Sequence, residues 1–180
     1  MKLIKDAIEK YQKVIDVLKG KDIKRNYNES AGISGHLNIE HFDKDGNLLG
    51  TRSVKNLNPT IGLAECARLV GYDLSGTAFR YTQVGTGTTA AAAGDTDTET
   101  AVGAKVAAAV TNVTTTVTED TIRFIATHSF SGSSAITEAT ITNNSSNGTG
   151  DLLARQVFSA INVNSGDSIK LTWDQKFAAA

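Results

Sequence analysis

Residues 168–173, Ser-Ile-Lys-Leu-Thr-Trp, alternate polar with apolar side chains, so Ile169, Leu171 and Trp173 share one face. A period of two is the signature of a strand with one buried side. The pattern recurs backward along the chain. Residues 152–158 read as a strand, and residues 135–142 alternate with an irregularity that implies a bulge. Residues 121–130 place Ile122, Phe124 and Ala126 together; residues 100–118 supply one or two strands and residues 79–84 another. Further back, Leu37, Ile39 and His41 alternate, Asp43-Lys-Asp-Gly-Asn47 turns the chain, and residues 48–54 return as the second arm of a hairpin. Polar, Gly-rich stretches at 85–98, 143–151 and 162–167 separate the strands. Six to eight short strands without βαβ alternation predict a mainly β domain, an antiparallel β-sandwich or jelly roll.

Two helices interrupt this pattern. Ile4, Ile8, Tyr11, Ile15 and Leu18 recur at spacings of four and three, one apolar stripe on an amphipathic N-terminal helix over 2–19 that Gly20 stops. So short a helix is marginal alone and must pack on something. Its own domain, symmetry mates in a short coiled coil or another protein could each cover the stripe; the linker-like stretch that follows favours an arm, with these five residues as the hypothesised assembly contact. Residues 1–20 form a helical arm on this reading, 21–35 a linker and 36–180 the β-sandwich domain. The second helix is short and internal. Asn58 is placed to cap it, Pro59 occupies its first position, Ile61, Ala64, Ala67 and Leu69 give it a small-residue face, and Gly71 ends it.

Composition narrows the function. Lys plus Arg number 18 against 19 Asp plus Glu, a net charge of −1, so no global field draws nucleic acid or an acidic membrane. No apolar run approaches the length of a membrane span. The charged start lacks the uninterrupted apolar core of a signal peptide, so synthesis in the cytoplasm without export is expected. The single cysteine, Cys66, excludes an internal disulfide and reads as a small buried hydrophobe.

Candidate sites are few, and each has a plain reading. Asp43-Lys-Asp45-Gly-Asn47 begins like a calcium loop, but position twelve would be Val54 and the context is a hairpin, so a turn is expected. Asp95, Asp97 and Glu99 would point to one side of an extended segment, available to a cation or a basic partner; the simpler expectation is a solvated loop edge. Gly85-Thr-Gly87 lacks the rest of a phosphate-binding turn, and no Gly-x-Ser-x-Gly elbow exists. His36, His41 and His128 are scattered and form no metal set. The expectation is a protein without catalytic residues, metal or cofactor.

Three strings resemble a recurrent module of tailed-bacteriophage virion structural proteins, seen in head-decoration and tail-fibre-like proteins. The first is the Asp-Gly hairpin followed by Lys55-Asn56-Leu57 and a helix starting near Ile61-Gly62-Leu63. The second is Val84-Gly85-Thr86-Gly87-Thr88-Thr89, an Ala-rich stretch, Gly94-Asp95-Thr96 and then Glu99. The third is Ile136-Thr137-Glu138-Ala139, then Leu153-Ala154-Arg155-Gln156-Val157-Phe158, then Asn164-Ser165-Gly166-Asp167 and a strand with Trp173. Thr140-Ile141 departs from the module's usual Gly and apolar pair, so a different turn is expected there. The resemblance spans residues 37–177 and leaves out the N-terminal helix. It implies a virion structural protein, first a capsid decoration (cement) protein clustering as homotrimers on the major capsid protein. A tail-tip, baseplate or fibre-attachment protein is the alternative. A carbohydrate-binding module using Trp173, Tyr72 or Tyr81 as a stacking platform is a lesser one.

Overall fold

A computed structural model describes residues 31–71 and 75–179, which carry nine strands and one helix in the order β1 (Ala31–Phe42), β2 (Leu48–Asn56), α1 (Thr60–Val70), β3 (Tyr81–Gly85), β4 (Ala101–Ala107), β5 (Ala109–Val113), β6 (Thr121–Ser129), β7 (Ser134–Thr142), β8 (Leu152–Val163) and β9 (Ser168–Ala179). The arm, most of the expected linker and Tyr72 lie outside the described residues. The strands form two sheets, β2-β1-β9-β6-β5 and β4-β3-β7-β8, and every pairing is antiparallel.

Alternation along the strands builds the core between the sheets. In the five-stranded sheet Leu37, Trp173 and Phe124 lie side by side on β1, β9 and β6, and Ile39, Leu171 and Ala126 form the next row. Val84, Ile136, Ala139, Ile141, Phe158 and Ile161 meet them from the four-stranded sheet in one apolar cluster. Full burial of such side chains stabilises by roughly 1.5–3 kcal/mol each. A polar bridge crosses this core: Thr82 Oγ1 lies 2.9 Å from His128 Nε2, joining β3 to β6.

The sheets are also joined at their margins. Residues 100–118 hold two strands, β4 and β5, which sit in different sheets with Ala108 alone between them. On the opposite side Leu57 exchanges backbone hydrogen bonds of 3.1 and 3.0 Å with Arg155 of β8.

Several boundaries differ from the sequence reading. The expected linker ended at residue 35, yet β1 starts at Ala31, because residues 31–35 pair with residues 175–179 of β9. Gly35, a weak strand former, is required there: a Cβ would collide with the Asn56 side chain. β8 runs on to Val163, and Thr140-Ile141 lies inside β7 instead of in a turn. Pro59, not Asn58, is the residue before the first helical turn, and it supplies no side-chain cap. Asn58 instead donates to Leu153 O at 3.0 Å and Gln175 Oε1 at 2.8 Å, anchoring the helix entry to β8 and β9. Ala64 and Ala67 are exposed, whereas Gly62 and Glu65 are buried. The close approach to the sheet is real but depends on Gly62, whose Cβ would meet the backbone of Leu152 and Leu153.

Candidate functional site

The outer face of the four-stranded sheet, turned away from the apolar core, carries a second buried layer that is polar. Gln83, Lys105, Glu138, Thr140, Thr142 and Arg155 are all buried there, beneath the segments 86–100 and 143–151. The bulge on β7 makes this possible. Register with β8 shifts between Ile136 and Glu138, so Ile136 and Ala139 both face the core while Glu138 points outward. Arg155 stands opposite Thr140 on β8, within reach of Glu138.

Glu138 and Arg155 organise the layer. Glu138 Oε1 accepts the backbone N–H of Gly87 at 3.0 Å and of Thr100 at 2.8 Å, and Oε2 accepts that of Glu99 at 3.2 Å. Arg155 donates from Nε to Glu138 Oε2 at 3.0 Å, from Nη1 to Asp95 Oδ2 at 2.8 Å and from Nη2 to Glu99 Oε2 at 3.0 Å. One guanidinium thus holds three carboxylates. Burial alone would lower the Arg155 pKa, but its bonds to Asp95 and Glu138 raise it overall. Thr89 donates its hydroxyl and its backbone N–H to Glu99, and these, with Arg155, hold that carboxyl below the usual range. Gly85 and Gly87 are obligatory at this point, since a Cβ at either would collide with the Glu138 carboxylate.

The acidic run keeps the partly solvated loop edge expected from sequence, Glu99 being exposed and Asp95 and Asp97 intermediate, but its carboxylates are engaged. Asp95 and Glu99 turn onto Arg155, and Asp97 faces Lys105, whose Nζ donates to Thr149 O at 2.8 Å. Burial lowers the Lys105 pKa, with Asp97 opposing it. The buried Gln83 amide donates to Val102 O at 2.8 Å across the β3–β4 bulge. Among the described residues, Gln83 Oε1 and Thr142 Oγ1 are buried without a hydrogen-bond partner. Sequence pattern alone could not reveal this layer, because Arg155 stands 60 residues from Asp95 and 56 from Glu99.

The remaining candidates fall elsewhere. Asp43 Oδ1 accepts the N–H groups of Asp45 and Asn47 at 2.9 and 2.8 Å, and Gly46 takes φ 83°, so the calcium-like string forms a hairpin turn. His41 Nε2 lies 3.2 Å from Asp167, His36 meets Ser53, and His128 bonds Thr82, three separate places. Cys66 is half-buried against the core, and burial, then Glu65, pushes its thiol pKa up. Glu65 itself is buried under α1. It accepts from Arg68, Thr77 and Asn143, and Arg68 continues to Asp151, which ties the helix to the neighbouring loops. Trp173 is fully buried, with Nε1 donating to Asn56 Oδ1 at 2.7 Å, so it offers no stacking platform; Tyr81 is half-buried. Ile4, Ile8, Tyr11, Ile15 and Leu18 lie outside the described residues.

Compared with known proteins, the chain matches no family model, no curated protein and no solved structure. The geometry has the character of a structural lock. Its charged groups pair with one another and with backbone groups of the covering segments.

Proposed function

We propose that the chain is a non-enzymatic structural component of a tailed-phage particle, a β-sandwich or jelly-roll protein that decorates and stabilises the head shell. One observation supports this reading. The strings that carry the resemblance are far apart in sequence, yet Gly85, Gly87, Asp95 and Glu99 of one and Glu138 and Arg155 of another converge on a single ionic cluster. The shared residues thus form a physical unit, which favours a common module over a chance likeness of Thr-, Ala- and Gly-rich composition. A loop fastened in this way presents small uncharged residues outward, a surface suited to subunit contact. In this proposal the protein acts in the virion as a homotrimer on the major capsid protein, and Ile4, Ile8, Tyr11, Ile15 and Leu18 make the contact. Repetition over many copies lets each contact be weak.

The test is rebinding of labelled full-length protein to heads stripped of their accessory proteins. Saturation at a copy number comparable with the shell subunits is expected. The double variant Ile8→Asp, Ile15→Asp should lose binding while keeping the Trp173 fluorescence of the folded body. A few copies confined to one vertex would overturn the decoration role in favour of a tail-tip or baseplate protein.

A further inference from the structure

We propose that residues 86–100 are a strap that opens as one unit while the two sheets beneath it stay folded. The segment has almost no apolar anchor: Thr88, Thr89, Ala90, Ala92, Ala93 and Gly94 are all exposed. Segments that bury little apolar surface occupy the low end of local stability. What holds this one down is polar and concentrated. Glu138 binds Gly87 at one end and Glu99 and Thr100 at the other, and Arg155 takes Asp95 and Glu99 between them. Smaller ties run from Thr98 Oγ1 to Thr140 Oγ1 at 2.7 Å and from Thr60 N to Ala93 O at 2.9 Å.

The strap also braces itself. Thr86 N donates to Thr100 O at 2.9 Å across its base, Thr89 binds Glu99, and Ala92 N donates to Asp95 Oδ2 at 2.9 Å. A segment tied to itself and to two shared side chains releases together, because losing one tie weakens the geometry of the rest. Opening frees Nη1 and Nη2 of Arg155, which hold Asp95 and Glu99, and leaves Nε on Glu138. The open state thus displays a guanidinium edge fit for an incoming carboxylate, and in the closed state Asp95 and Glu99 occupy that edge.

Amide hydrogen exchange followed by NMR on the full chain tests this. The amides of Gly87, Thr89, Glu99 and Thr100 should share one protection factor, lower than that of the Leu171 and Trp173 amides at the sheet centre. Under added urea the strap amides should speed up much less steeply than those of β9, because opening the strap exposes far less surface than unfolding the sheets. The pair Asp95→Asn, Glu99→Gln keeps the Glu138–Arg155 contact and should speed strap exchange by on the order of a hundredfold. Strap amides exchanging at the β9 rate, or each at its own unprotected rate, would overturn the proposal. So would a strap rate that climbs with urea as steeply as that of β9.

Discussion

Arg155 Nε lies 3.0 Å from Glu138 Oε2 with both side chains withdrawn from water, the guanidinium side 3% exposed and the carboxylate side 0%. A buried pair of this kind is costly to break and much less costly to replace. Glu138→Ala should destabilise by about 3–5 kcal/mol, since it takes one of three carboxylates from a buried guanidinium and strands three N–H groups. Replacing both residues by Met should cost less than the sum of Glu138→Met and Arg155→Met made singly. Urea unfolding midpoints of the four proteins measure the coupling, and strict additivity would refute it.

Glycine at position 87 is a matter of space. Gly87→Ala forces a methyl against Glu138 and should cost about 1–3 kcal/mol. Gly50→Ala on β2 has no atom within 4 Å of the added carbon and serves as the control. Its effect should stay within about 0.5 kcal/mol of zero.

Burial holds the His128 pKa down from 6.5 to about 4. The unfolded chain therefore takes up a proton that the folded chain refuses. Stability should be constant above pH 6.5, fall as the pH drops toward about 4, and level off for this group below that value, a loss of roughly 3 kcal/mol. His128→Gln should flatten the slope in that window, read as the melting temperature against pH. The depressed carboxylates, Glu99 among them, add their losses at lower pH.

Trp173 is the chain's one tryptophan and is fully buried. Native emission should be blue-shifted and resistant to iodide, and it should move to the red on unfolding. A quenchable native signal would contradict the placement of β9.

Much of the fold was legible because alternation is a local signal. Ile169, Leu171 and Trp173 lie within one short string, and the bulge on β7 announced itself as a break in period. Polar partnerships are not local. The pairing of Asp95 and Glu99 was not legible because nothing nearby in sequence shows the arginine that claims them. Asn58 matched a helix-cap pattern, yet tertiary partners Leu153 and Gln175 took its amide. Glu65 sits buried under α1 for a similar reason: its partners Thr77 and Asn143 lie 12 and 78 residues away.

The position of β9 bears on how the molecule is made. The last of the nine described strands in sequence is flanked by β1 on one side and β6 on the other, at the middle of its sheet. Until it arrives, the β1–β2 and β5–β6 hairpins each carry an open edge that only β9 can close. Vectorial synthesis therefore cannot finish this sheet piece by piece. Closure waits for residues 168–179 and then joins sequence-distant strands at once, a slow topology in which a chain stalled before them is left prone to pair with its neighbours.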